Sequence, residues 1–226
     1  VHKSIINQSK DIGSDISIIN KNFMYEVHNK DKWNFSNDDG IKYECDMPGI
    51  KGAIQINNAA SAIQAILSCD GIEIKEKQLN EGLSKAQIYG RFQVVSNRPI
   101  VILDIAHNEE SVVTLIENLK NYYPKKNYHA VFSILEDKKI NKILGLLKGL
   151  FKTWHITENS NERSLQIKEL KKNSFFNSEK MYDYVNIDEA YNGALKEIIN
   201  EDDIVIVFGS SYTVAPILKK KLKKNE

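Results

Sequence analysis

Val101-Ile102-Leu103-Asp104-Ile105-Ala106-His107-Asn108 opens as an apolar run of buried-strand type and ends in a carboxylate, an imidazole and an amide. Residues at helical spacing follow from 111 to 121. The same sequence of events recurs downstream. Apolar runs at 100–103, 130–134, 154–156, 182–185 and 204–208 alternate with amphipathic stretches at 111–121, 140–150, 165–171, 187–199 and 212–222. Strand–helix alternation requires crossover connections, and these build a mostly parallel sheet with helices on both faces. The chain from 97 onward therefore reads as an open α/β domain. In such sheets ligands sit outside the carboxyl ends of the strands, which is where Asp104, His107 and Asn108 stand.

Upstream of Arg91 the pattern changes. Short strand candidates at 23–27, 33–35 and 41–45 are separated by turn residues such as Asn37-Asp38-Asp39-Gly40, which reads as a β-meander. Two helices are predicted next. The first, at 58–69, is rich in small residues (Ala59, Ala60, Ala62, Ala65) that suit close packing; the second, at 76–85, follows a stop signal at Asp70-Gly71. The 87–91 segment, with Gly90 as its hinge, separates the two patterns and divides the chain into 1–89 and 90–226.

Composition narrows the function classes. The 226 residues are 42% hydrophobic and 27% charged, an ordinary globular balance that argues against disorder and membrane classes. Thirty-one Lys and Arg against 30 Asp and Glu give a net charge of +1, too even for a nucleic-acid partner. The one basic concentration, Lys219-Lys220-Lys221 with Lys223-Lys224, reads as a solvated helix end where cations complement the helix dipole. Cys45 and Cys69 have no metal-ligand spacing, the five histidines form none either, and a reducing cytoplasm is the expected home. The chain starts at Val1, not at methionine, and a fragment is expected.

Several positions carry candidate chemistry. Asp104 can accept two hydroxyl hydrogen bonds from a ribose, and His107 can donate to or accept from a ligand near neutral pH; the plainer reading is that Asp104 and Asn108 cap the following helix. Phe208-Gly209-Ser210-Ser211 repeats the design, with amides and Ser210 available to an anion, or Ser210 as an N-cap. Asn58 is an N-cap candidate, Arg91 a phosphate-reaching guanidinium or a surface arginine, and Lys138 in Glu136-Asp137-Lys138 a charge neutraliser or part of a solvated helix start. His155, inside an apolar strand, is expected to pack or hydrogen-bond structurally. No Gly-x-x-x-x-Gly-Lys-Ser/Thr phosphate loop occurs in the 226 residues.

Taken in order, Asn58-Ala59-Ala60-Ser61-Ala62, Gly90-Arg91-Phe92-Gln93, Asp104-Ile105-Ala106-His107-Asn108 and Phe208-Gly209-Ser210 resemble the folylpolyglutamate/dihydrofolate synthase family of Mur-type ligases. The resemblance covers most of the chain after Met47. It implies a Rossmann-like Mur-ligase C-terminal domain at 90–226, preceded at 1–89 by the β-rich and helical tail of the ATPase domain. It also implies an ATP-dependent amide ligase that adds L-glutamate to dihydropteroate or reduced folates through an acyl phosphate. Asn58 would contact the adenine side of ATP, Arg91 its phosphates and Asp104 the ribose. His107 and Ser210 would be catalytic, His107 beside nucleotide and glutamate and Ser210 holding the incoming glutamate. The phosphate loop and the Mg2+ ligands are expected outside this sequence, so the chain alone is expected to be inactive and monomeric. Glu109 and Tyr89 stand where the family commonly has proline. Two other readings stay open: a different Mur-type amino-acid ligase, and a non-catalytic α/β binding module.

Overall fold

The computed structural model describes residues 2–52 and 54–223; Val1 and Lys224 lie outside the described residues. Two compact units divide between Gln87 and Ile88. In the first, helix α1 (Lys3–Asp11) precedes an antiparallel meander of β1 (Phe23–Val27), β2 (Lys32–Asn37) and β3 (Lys42–Asp46), then α2 (Ile54–Leu67) and α3 (Glu76–Lys85). Alternation places Trp33 and Phe35 of β2 on one buried face with Phe23 and Cys45, and α2 lays Ile56, Ala59, Ala60 and Ile63 against this cluster. That i, i+3, i+4, i+7 stripe excludes Ala62 and Ala65, which are exposed, so only two of the four alanines serve close packing. The helix also starts at Ile54. Asn58 therefore lies in its second turn, too deep to be its N-cap.

The second unit holds a six-stranded sheet. Its elements are β4 (Gln93–Asn97), β5 (Ile100–Asp104), α4 (Glu109–Tyr122), β6 (Asn127–Phe132), α5 (Ile140–Leu147), β7 (Phe151–Thr157), α6 (Ile167–Lys172), β8 (Met181–Tyr184), α7 (Ile187–Lys196), β9 (Asp203–Phe208) and α8 (Ser211–Leu222). The strand order is β4-β5-β9-β6-β7-β8, and all neighbours are parallel except β4 and β5. The expected α/β class with a mostly parallel sheet is what the molecule has. The half-buried edge strand β4 escapes the periodicity reading, because it is short and largely polar.

The parallel strands β5, β6, β7 and β9 are buried on both faces, as crossover helices require, while the edge strand β8 is only partly covered. Ile102, Phe132, Trp154 and Phe208 face α4 and α5, where Val112, Leu115, Leu119, Ile143 and Leu147 pack. Val101, Leu103, Val131, Val205 and Val207 face α7 and α8. Trp154 is wholly buried, edge-on to Phe132 with ring centroids 5.7 Å apart. Burying each such side chain stabilises the fold by about 1.5–3 kcal/mol. Lys220 pairs with Asp188 at 2.7 Å and Lys221 lies over the Tyr191 ring, so the basic end of α8 is partly engaged by α7. Among the described residues no helix is long and apolar enough to cross a membrane.

Candidate functional site at the carboxyl edge

β9 returns between β5 and β6, so the chain direction across the sheet reverses there. α4 after β5 and α8 after β9 pack on opposite faces of the sheet, so the two loops part at this point, the position at which open α/β sheets take ligands. Asp104 and Phe208 are paired residues on β5 and β9, which puts His107 and Ser210 on the same edge, each just past its strand.

Asp104 is 7% exposed, and both its oxygens are engaged. Oδ2 accepts from the Phe92 amide at 2.9 Å and Oδ1 from the Ala106 amide at 2.8 Å. Burial raises its pKa to about 6, against the pull of those two hydrogen bonds and of the Arg91 charge. The carboxylate does not cap α4; Asn108 alone does so, accepting from the Ser111 amide at 2.9 Å. Each Asp104 oxygen retains a lone pair for a further donor.

The Gly90-Arg91-Phe92-Gln93 turn is fastened at every residue but its arginine side chain. Gly90 has φ +70°, its amide donates to Gln93 Oε1 at 3.0 Å, and its carbonyl accepts from Ile105 at 2.8 Å. Phe92 is buried beside Tyr122 and Tyr123, while its amide reaches Asp104. What the turn displays is the exposed guanidinium of Arg91.

His107 Nδ1 lies 2.7 Å from the Ile105 carbonyl, which can only accept, so Nδ1 carries the proton. In the neutral ring Nε2 is then left with a lone pair. Ser210 is the N-cap of α8. Its Oγ accepts from the Thr213 amide at 3.1 Å and lies 2.7 Å from Thr213 Oγ1. Because Thr213 gives its own proton to the Ser133 carbonyl at 2.9 Å, Ser210 is the donor in that pair. The Ser210 hydroxyl is thus committed to the cap. The donors left at this end of α8 are the first-turn amides of Ser211 and Tyr212.

Sequence reading missed Ser133, Asn159 and Thr213. Asn159 Nδ2 donates to Ser133 Oγ at 2.8 Å, which joins the ends of β6 and β7 to the α8 cap. Only the Ser210-x-x-Thr213 spacing hinted at this cluster. Lys138 bonds its neighbour Asp137 at 2.7 Å, a local pair with no sign of a ligand role. Asn58 belongs to the first unit, exposed, donating to Gln55 Oε1 at 3.1 Å. Among the described residues no group of three His, Cys, Asp or Glu side chains is placed to hold a metal ion.

The profile of the Mur ligase glutamate ligase domain matches residues 90–211, more than half of the chain. The chain belongs to the Mur ligase family. It is 34% identical over 191 residues to the dihydrofolate synthase/folylpolyglutamate synthase of Buchnera aphidicola subsp. Schizaphis graminum, covering 84% of this chain and 44% of that one. With the enzyme of the same name from Escherichia coli K12 it shares 30% identity over 195 residues, 86% of this chain and 44% of that one. The chain thus spans less than half the length of these curated relatives. Among solved structures, E. coli FolC in complex with DHPP and ADP superposes with a TM-score of 0.84 at 25% identity, over 99% of this chain and 51% of FolC. The ADP complex of FolC without folate substrate gives 0.82 at 27%, over 99% and 52%. The resemblance drawn from the four short motifs is therefore to the right branch of Mur ligases.

Proposed function

We propose that this chain is the nucleotide- and glutamate-handling half of an ATP-dependent ligase that joins L-glutamate to dihydropteroate, to reduced folates, or to both. The observation that carries this reading is the Gly-Arg-Phe-Gln turn tied through Phe92 to Asp104, within a Mur ligase domain match. In this reading residues 1–89 are the remainder of the ATPase domain and 90–226 the glutamate ligase domain. The substrate class follows from relatives named for it and from FolC holding DHPP and ADP.

In the reaction ATP converts a folate or dihydropteroate carboxylate to an acyl phosphate, and the glutamate amine displaces phosphate to form the amide. Arg91 is suited to the nucleotide phosphates, because its guanidinium stays charged and forks onto paired oxygens. Asp104 adds a ribose hydroxyl to the two amides it already holds, and Asn58 meets the adenine. His107, with Nδ1 protonated, offers the Nε2 lone pair beside nucleotide and glutamate. The Ser210 cap orders the first-turn amides of α8 for the glutamate carboxylate. In this reading the Mg2+ ligands and the phosphate loop lie in the half of the relatives without a counterpart here. Positioning and charge neutralisation supply most of such catalysis.

Titration of the 226-residue chain with ADP, followed by backbone amide NMR, tests the nucleotide part. Amide shifts at Arg91, Ala106 and His107 are expected with a Kd on the order of millimolar, and Arg91→Ala should weaken binding about tenfold or more. Unmoved amides at this edge would count against a nucleotide site here.

A further inference from the structure

The hydrogen bonds that join the ends of β6 and β7 to the start of α8 form one buried system with a single arrangement of protons. The Ser133 carbonyl can only accept, so Thr213 Oγ1 donates to it at 2.9 Å. With that proton committed, the Ser210 hydroxyl donates to Thr213 Oγ1 at 2.7 Å, while its oxygen accepts the Thr213 amide at 3.1 Å. Turning the Thr213 hydroxyl toward Ser210 instead would take a hydrogen bond from a buried carbonyl. Asn159 Oδ1 accepts the Asn161 amide at 3.0 Å, which turns Nδ2 toward Ser133 Oγ at 2.8 Å. Ser133 and Thr213 are wholly buried, and Ser210 and Asn159 are nearly so.

The backbone around this system is fitted to it. Gly209 has φ +113°, and a Cβ there would lie 2.2 Å from the Ser133 carbonyl oxygen, so the turn from β9 into α8 rides directly on the end of β6. The loop after β7 is tied to the loop after β6 by the Leu165 amide on the Ile134 carbonyl at 2.8 Å and the Glu136 amide on the Arg163 carbonyl at 2.9 Å. Its own shape is held by the Asn159 amide on Ser164 Oγ at 2.9 Å. Filling this space with three hydroxyls and a carboxamide costs more than filling it with apolar groups, because each buried polar member needs its partner. What the network supplies in return is a unique arrangement, in which α8 can begin at one place relative to β6 and β7.

We propose that Thr213 and Asn159 are positioning residues for the incoming glutamate, acting through Ser133 to hold the Ser211 and Tyr212 amides of α8 in register with Asp104 and His107. The proposal rests on the reading above in which the glutamate carboxylate meets those amides. Neither side chain reaches the ligand itself: Thr213 has no exposed surface, and the Asn159 amide group is turned inward to Ser133. The Ser210 proton also goes inward, to Thr213, so Ser210 acts by capping and not by donating to glutamate.

Backbone amides that take a carboxylate must be held within about 0.5 Å of the productive geometry, so a small drift of the α8 start is enough to lose them. The nucleotide side is anchored separately. Asp104 is held by the Phe92 and Ala106 amides, and among the described residues no hydrogen bond joins Arg91 or Asp104 to Ser133, Asn159 or Thr213. Loosening the clamp is therefore expected to weaken glutamate and to spare the nucleotide, a split that general loss of structure would not produce.

Titrating the 226-residue chain with L-glutamate and, separately, with ADP, read at the backbone amides by NMR, tests this. L-Glutamate should shift the Ser211 and Tyr212 amides with a Kd on the order of millimolar. Thr213→Val keeps the shape and loses the hydroxyl; it should weaken glutamate about tenfold and leave the ADP shifts at Arg91, Ala106 and His107 in place. Thr213→Ser should bind glutamate within about twofold of the parent chain. If Thr213→Val does not fold, Ser133→Ala decides: it keeps the carbonyl, removes the oxygen that Asn159 holds, and should weaken glutamate about threefold with ADP unaffected. An unchanged glutamate affinity in the deciding variant, or an equal loss for ADP, would overturn the clamp while the glutamate reading stands. A parent chain whose α8 amides ignore glutamate while ADP shifts its own set would overturn the glutamate reading and the clamp with it.

Discussion

A Cβ added at Gly209 would sit 2.2 Å from the Ser133 carbonyl oxygen, a backbone atom that cannot swing away, and φ there is +113°. Gly209→Ala should therefore cost about 3 kcal/mol or more. At Gly90 the obstruction is a methyl of Ile105 at 2.8 Å, which can turn, so Gly90→Ala should cost about 1–2 kcal/mol, mostly from its left-handed φ. Gly145, inside α5 with open space around it, should give the opposite sign, about 0.5–1 kcal/mol of stabilisation as alanine. Urea unfolding followed by Trp154 fluorescence in a Trp33→Phe background ranks the three. Asp104 carries a pH signature in the same assay. Its folded pKa of about 6 lies above the ordinary 3.8, so its contribution to stability is full below pH 3.8 and is lost as pH rises through 6. Relative to Asp104→Asn, the native chain should gain about 2 kcal/mol on going from pH 7 to pH 4. An unchanged difference would mean that the carboxyl is not desolvated.

At the level of elements, caps set where the helices of the carboxyl edge begin. Asn108, Asn186 and Ser210 each accept the amide three residues on, which fixes the first turns of α4, α7 and α8. Asn108→Ala should cost about 1 kcal/mol, measurable by the same unfolding curves, and leave nearby His107 less ordered in NMR relaxation. Caps were legible only in part: Asn108 and Ser210, offered as N-caps beside ligand-binding alternatives, do cap α4 and α8, whereas Asp104 and Asn58, offered in the same way, do not cap their helices. The strands β5 and β9 were legible because burial on both faces demands continuous apolar runs. α1 and β4 were not, because an exposed helix and a half-buried edge strand make few apolar demands on their residues. Nor did spacing show Asp104 reaching across to Phe92: a bond spanning twelve residues depends on how a turn folds back over a strand end. The clustering of Ser133, Asn159 and Thr213 was hidden likewise, since only strand order brings them together.

Across the whole molecule, strand order is the feature that makes a site. Periodicity yields the strands but not the return of β9 between β5 and β6, which sets Ser210 beside Asp104 and His107 at one edge. The ligase reading rests on that edge, and it is tested most directly by amide formation itself. The half of E. coli FolC without a counterpart here should be joined to this chain, and incorporation of labelled glutamate into dihydropteroate followed with ATP present. Glutamate should be incorporated, with kcat/KM for ATP lowered about tenfold to a hundredfold by Arg91→Ala, a transition-state loss of about 1.4–2.7 kcal/mol. A folded chimera that binds ADP yet transfers no glutamate to any pterin or folate acceptor would contradict the assignment of this chain to folate glutamylation.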